Sequence, residues 1–166
     1  MKEKMTQKIE NIKKDLIFMA NEVEDAIYKA LKALEKQDRK AAEEIIEADK
    51  KIDMQEVNIE DQILSLLALQ QPVAIDLRFL VGALKMNNDL ERIGDHAVNI
   101  AKTLIKLAGR PYLKPLEDIP QMGKIARTML HDAVHAFILE RVADLATNLG
   151  EDVVFMKEAR IIRHGL

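Results

Sequence analysis

The sequence has no cysteine and no tryptophan, and proline, glycine and aromatic residues are scarce. Without cysteine the chain has neither disulfides nor thiolate metal ligands. Four prolines and six glycines in 166 residues are too few for the many turns of a sandwich or barrel, so an all-α fold is expected. A net charge of −3 attracts no nucleic acid. No apolar run can span a bilayer and no signal peptide is recognisable, so we expect a cytoplasmic protein, peripheral to a membrane at most.

Apolar residues recur at helical spacing along most of the chain. One stripe runs from Ile9 to Leu34 and a second from Ala42 to Leu66. We expect a third helix whose buried stripe is Leu77, Leu80, Leu84, Asn88, Glu91, Asp95, Val98 and Ile105. The helices should be separated by an N-cap at Asp38, a stop at Gln71-Pro72 and a stop at Gly109-Arg110-Pro111. Three long helices with short turns predict an antiparallel up-down-up bundle.

Acidic side chains interrupt the second and third stripes. Asp49 and Asp53 are four residues apart, as are Glu91 and Asp95, so each pair shares one face of its helix. Asp53 and Glu91 lie equally far from Pro72, and Asp49 and Asp95 also lie equally far from it, so an antiparallel hairpin brings all four to one level. Carboxylates beside a core need a compensating cation or hydrogen bonds.

The four carboxylates form a candidate metal site. Oxygen ligands suit divalent or trivalent ions such as Mg, Mn, Fe or Zn. Ordinary salt bridges are the alternative, with four cations available nearby: Lys50, Lys51, Arg78 and Arg92. Spacing leaves both interpretations open.

The sequence shows no convincing catalytic constellation, and we expect no enzyme. His131 and His135 could form a two-nitrogen metal clip, but no motif completes it, and two exposed histidines explain them as well. A ferritin-like di-metal carboxylate enzyme is the alternative, and that class needs Glu-x-x-His on its helices. The third residue after Glu91 is Gly94, which argues against it.

Part of the sequence is repeated. The stretch Leu90–Ile100 (LERIGDHAVNI) recurs as Leu139–Leu149 (LERVADLATNL), at an offset of 49 residues (140 − 91). A weaker match, of Ala30–Leu34 with Ala133–Phe137, has an offset of 103 residues (133 − 30). The difference suggests that about 54 residues (103 − 49) are missing from the second repeat, between Ile138 and Leu139.

Two regions of the chain resemble signature motifs of the PhoU family. Its first-repeat motif is similar to Leu67–Arg78 (LALQQPVAIDLR) followed by Leu90–Ala101 (LERIGDHAVNIA). Its C-terminal motif resembles Leu139–Phe155 (LERVADLATNLGEDVVF) with Ile161–His164 (IIRH). The resemblance implies three-helix repeats with E(D)xxxD metal motifs. These motifs correspond here to Asp49/Asp53, Glu91/Asp95 and Glu140/Asp144.

The resemblance also implies a function and partners. Members of the family act with the ATPase subunit of a phosphate ABC transporter and a sensor histidine kinase, and repress the phosphate-starvation response when phosphate is plentiful. A shortened accessory of another phosphate carrier is the other possibility. We expect a first repeat at 1–108, a linker at 109–120 and a truncated second repeat at 121–166, reduced to one long or bent helix. Its apolar stripe should either fold back on the bundle or, as we expect, form a homodimer.

Overall fold

Four helices make up the part of the chain that the structure describes. The computed structural model describes residues 2–107, 109–112 and 116–158, with side-chain detail for 5–107, 109–112 and 116–139. The helices are α1 Lys2–Lys36, α2 Arg39–Gln70, α3 Ala74–Leu107 and α4 Asp118–Glu158. The described part contains no β-strand, and the predicted all-α class is confirmed. None of the described helices is both long and apolar enough to cross a bilayer.

Helices α1, α2 and α3 form an antiparallel bundle in which each packs against the other two. The apolar faces of α1 and α2 supply much of the core, as their stripes predicted. Its fully buried large side chains are Ile12, Leu16, Met19, Val23, Ile59, Ile63, Leu66, Leu80, Leu90 and Leu104. Each such side chain stabilises the fold by about 1.5–3 kcal/mol relative to an exposed one.

The predicted stripe of α3 is wrong by about one position over most of its length. Leu80 and Val98 are buried as expected, but Leu77 and Asn88 are exposed. The core face instead passes through Ala83, Asn87, Leu90, Gly94, Ala97, Ala101 and Leu104. Both tracks have helical spacing and lie side by side on the helix, so periodicity could not choose between them. Glu91 and Asp95 therefore flank the core seam of α3.

The helix boundaries follow local chemistry that the sequence displays. Asp38 caps α2 by accepting a hydrogen bond of 3.0 Å from the amide of Ala41, as predicted. Helix α1 ends at Lys36 because Gln37 adopts a left-handed conformation, with φ of 52°. Gln71 does the same after α2, with φ of 46°. Gly109, with φ of 84°, follows the end of α3.

The first part of α4 lies against α1, within a compact unit that covers residues 1–134. Gly123 allows this approach, because a Cβ atom there would overlap the side chain of Leu31. One turn later the guanidinium of Arg127 lies 5.0 Å from the ring centroid of Tyr28. A second unit comprises residues 135–166. The boundaries predicted for the two repeats stay a prediction.

Folding back leaves one side of α4 uncovered. Met122, Ile125 and Met129 follow one another at helical spacing and keep between 54% and 67% of their surface exposed. The contact of the first part of α4 with α1 is therefore the fold-back that the sequence allowed, but it leaves these three side chains exposed. The remaining apolar stripe is available for association.

Candidate metal centre between α2 and α3

The candidate site lies where α2 and α3 approach closely. Gly94 belongs to the buried face of α3, and a Cβ atom placed on it would lie 3.5 Å from Oδ1 of Asp49. That distance is an ordinary van der Waals contact, so the Asp49 carboxylate lies directly beside α3 at Gly94. Glu91 and Asp95 flank Gly94 along the same helix. The antiparallel hairpin therefore brings the two predicted acidic pairs together.

The electrostatics of Asp49 show how close these groups are. Its pKa is raised to about 6, first because burial penalises the charged form. Repulsion from Asp53, Asp95 and Glu91 raises this pKa further, in that order. The ammonium group of Lys102 acts in the opposite sense. Both burial and the three neighbouring acids therefore disfavour the charged form of Asp49.

The cluster contains a fifth carboxylate that the sequence prediction omitted. Burial raises the pKa of Glu56, and repulsion from Glu60 and Asp53 adds to it. Burial also raises the pKa of Glu91, followed by repulsion from Asp95, Asp53 and Glu56. Glu56 occupies a core-stripe position of α2, one heptad after Asp49. This position was the signal that could have identified it.

Three of the four cations that the sequence offered as salt-bridge partners pair with other acids. Arg92 pairs with Asp89 at 3.4 Å, and Lys50 pairs with Glu47 at 2.7 Å. Lys51 reaches across to Glu22 on α1, at 2.8 Å. Among the described residues, no salt bridge includes a member of the predicted set: Asp49, Asp53, Glu91 and Asp95. Ordinary ion pairing therefore does not account for these four carboxylates.

A buried amide adds a neutral oxygen next to the acids. Asn87 is fully buried, and its Nδ2 donates a hydrogen bond of 2.8 Å to the backbone carbonyl of Glu56. Its Oδ1 has no hydrogen-bond donor among the described residues. A buried oxygen without a partner is costly, and a water molecule or a cation relieves that cost. The predicted α3 stripe had selected Asn88 and so missed this residue.

The donor atoms are oxygens, which hard cations prefer, but the side chains do not surround a common point. Within the described residues no three His, Asp or Glu side chains are placed to hold one ion. Carboxylates without a counter-ion repel one another, and rotation about their side-chain bonds could bring them together around a cation. Oxygen-only ligands of this kind suit Mg, Mn or Fe. The residues present therefore fit a metal, which stays a prediction.

The sequence predicted two further groups of candidate ligands. Glu140 and Asp144 lie in α4, but their side chains fall outside the described residues, so their assignment as ligands stays a prediction. His131 lies on the α1 side of α4, where its Nδ1 is 3.2 Å from Oε1 of Glu24. That contact links α4 to α1.

These features define an all-helical bundle protein that presents unpaired carboxylates between two long helices. Comparison with known families and proteins gives the family. The PhoU domain matches residues 16–104, which contain α2 and most of α1 and α3. A "Phosphate-specific transport system accessory protein PhoU homolog" of Aquifex aeolicus is 45% identical over 135 residues, covering 81% of this chain and 61% of the relative. The chain belongs to the PhoU family.

Other relatives agree with this assignment. The homologue of Clostridium acetobutylicum is 40% identical over 148 residues, covering 86% of this chain and 67% of the relative. The crystal structure of the phosphate transport system regulatory protein PhoU from Streptococcus pneumoniae superposes with a TM-score of 0.75 at 25% identity. The alignment covers 96% of this chain and 100% of that one. The chain spans only about three fifths of the Aquifex relative. Members of the family are regulatory accessory proteins, so the prediction of no enzyme is confirmed.

The raised pKa of Asp49 predicts a pH-dependent effect of Asp49→Asn in metal-free protein. Because the folded pKa exceeds the unfolded value, protonated Asp49 stabilises the fold at pH 4, and this contribution is lost as the pH rises through about 6. Asparagine mimics the protonated form. The free energy of unfolding of the variant, relative to wild type, should therefore rise by about 1 kcal/mol between pH 4 and pH 7.5. This change is smaller than the full pKa shift implies, because water screens the partly exposed carboxyl group.

Urea unfolding at both pH values, in the presence of a chelator, measures this difference. Asp61→Asn is the matched control, because Asp61 is exposed on the same helix. The pH-dependent change in the free energy of unfolding should be larger for Asp49→Asn than for this control. If the free energy of unfolding of Asp49→Asn relative to wild type is the same at both pH values, the pKa of Asp49 is not raised as described.

Proposed function

We propose that the chain is a regulator of phosphate uptake that links a phosphate ABC transporter to a sensor histidine kinase in the cytoplasm. The observation that carries the proposal is a three-helix bundle that the PhoU domain matches over residues 16–104, in which the α2–α3 carboxylates form no salt bridge among the described residues. The named relatives are accessory or regulatory proteins of phosphate transport. The chain would bind the transporter ATPase and the kinase, and repress the phosphate-starvation response when phosphate is plentiful.

Deletion of the gene in its own host tests this regulatory role. We expect a starvation-induced phosphatase reporter to become active in phosphate-rich medium and to be silenced again by the wild-type gene. Restored repression by a copy that ends at residue 134 would assign the function to the first unit. If phosphate uptake changes while the reporter stays silent, the chain serves another phosphate carrier and the link to the kinase is wrong.

A metal ion held by the acidic cluster is the second element of the proposal. Asp49, Asp53, Glu91 and Asp95 would hold it, and the family motif assigns Glu140 and Asp144 to a further site. The ion supplies positive charge that neutralises the carboxylates and ties α2 to α3. The shortened second repeat, which we infer to lack about 54 residues, retains no counterpart of Asp49 and Asp53 in the sequence.

Metal binding should depend on the carboxylates of α3. We expect Asp95→Ala to weaken Mn²⁺ or Fe²⁺ binding by at least about tenfold, as expected for loss of a metal-site residue. Wild type at an ion concentration 100 times the dissociation constant should gain about 2.7 kcal/mol of stability, and the variant correspondingly less. Elemental analysis and thermal unfolding measure both. Glu44→Ala, at an exposed acid on α2, should behave as wild type. Equal metal content in Asp95→Ala and wild type excludes this ligand set.

We also propose a homodimer through the uncovered stripe of α4. Two-fold pairing of Met122, Ile125 and Met129 with the same residues of a second copy removes apolar surface from water. Wild type should sediment at micromolar concentration with the mass of two chains, and Met129→Glu with the mass of one. Met54→Glu is the control, because Met54 is equally exposed, on α2. A monomeric wild type excludes the dimer.

A further inference from the structure

The outer side of the α2–α3 pair carries exposed aliphatic side chains beside the acidic cluster. We call this surface the outer α2–α3 face and define it by Asp53, Val57, Leu64, Leu77, Val81 and Glu91. Its four aliphatic members keep between 41% and 55% of their surface exposed. Surface leucines and valines are common singly, but these four lie within two turns of one another on each of two packed helices and form a patch.

The six residues share one face because of their spacing. Val57 and Leu64 follow Asp53 by four and eleven residues, which keeps them on one side of α2. Leu77 precedes Glu91 by fourteen residues, and Val81 follows Leu77 by four, so these three lie on one side of α3. Gly94 of α3 lies against Asp49 of α2, and Asn87 of α3 donates a hydrogen bond to Glu56 of α2, so the two helices pack directly and these two sides border the same seam.

The register of the hairpin divides this face into two halves. The hydrogen bond from Asn87 to the carbonyl of Glu56 fixes which residues of α2 and α3 stand opposite each other. With this register, Leu64 lies level with Val81 near the α2–α3 turn, and Asp53 lies level with Glu91 farther from it. One half of the face is therefore aliphatic and the other is acidic.

The charge of the acidic half selects the kind of partner. Anionic lipid and nucleic acid are repelled by it. An uncharged apolar segment would bury Asp53 and Glu91, which form no salt bridge among the described residues, and burying such carboxylates is costly. A segment that covers both halves must therefore carry apolar groups for one and Lys or Arg for the other.

We propose that the outer α2–α3 face docks an amphipathic helix of a partner protein, with its apolar side chains on Leu64, Leu77 and Val81 and its basic side chains at Asp53 and Glu91. In this mode of recognition an amphipathic helix lays its apolar side chains on a hydrophobic surface of the partner. The inference rests on the proposed adaptor role, for which it supplies a binding surface. A metal ion at the acidic half competes with the basic end of the helix, so metal loading weakens docking.

A synthetic helical peptide tests the proposal with the full-length chain. The probe is a fluorescently labelled 18-residue helical peptide. One face carries leucines in one half of the peptide and lysines in the other half. A second peptide with the reversed sequence tests the opposite orientation. In chelator, fluorescence anisotropy should show binding by at least one orientation, with an affinity that falls as salt rises. Peptides with Lys changed to Glu, or Leu changed to Ser, should lose at least about tenfold in affinity.

Protein variants locate the binding surface. Leu64→Ser with Val81→Ser, and separately Asp53→Asn with Glu91→Gln, should each weaken binding at least about tenfold. Met54→Ser and Glu44→Gln are controls on other exposed positions of α2 and should bind as wild type. Circular dichroism verifies that every variant remains helical. Binding by neither peptide orientation, or an equal loss of affinity in the controls, overturns the proposal.

Added Mn²⁺ separates this inference from the metal proposal. We expect Mn²⁺ to lower the affinity for the peptide in wild type and to have no such effect in the Asp53→Asn/Glu91→Gln variant. Peptide binding by a protein that takes up no metal would refute the metal site and leave the docking face intact. Metal uptake without peptide binding would refute the docking face alone.

Discussion

The register between α2 and α3 is the constraint on which the rest of the site depends. Residues that face each other across this antiparallel pair are fixed at one end by the turn at Pro72 and in the middle by Asn87. The amide of Asn87 is fully buried and donates to the carbonyl of Glu56. If α3 slid by one turn, this donor would lose its acceptor inside the bundle, at a cost of about 1–3 kcal/mol. The same slip would leave only one acid of each helix opposite the other, either Asp53 with Asp95 or Asp49 with Glu91.

Given that register, repulsion among the carboxylates is unavoidable. Asp49 lies beside Gly94 of α3, and burial and three neighbouring acids oppose the ionisation of its carboxyl group. The bundle tolerates this because its core, from Leu16 to Leu104, supplies the stability elsewhere. A cluster that weakens the fold when empty and charged gains more from a bound cation or a basic partner than a neutral surface would.

Much of the fold could be predicted from local signals, and the exact faces could not. The helix boundaries can be predicted from residue types that favour helix ends: Asp38 as an N-cap, Pro72 as a stop and Gly109 after α3. The pairing of Asp49/Asp53 with Glu91/Asp95 followed from distances to one turn. In α3, however, the track through Leu77 and Asn88 is as periodic as the true core track through Asn87. Only packing against α1 and α2 separates them, and the sequence of one helix does not contain that information.

The contact of α4 with α1 depends on the absence of a single side chain. At Gly123 only the side chain of Leu31 lies between the two helices. The size of the residue at position 123 therefore sets the distance between α4 and α1. Alanine there would require Leu31 to shift, and a branched residue would force the axes apart and loosen the Arg127–Tyr28 contact one turn away. A graded series of side chains at this one position could therefore tune how firmly α4 is held, without altering the three-helix core.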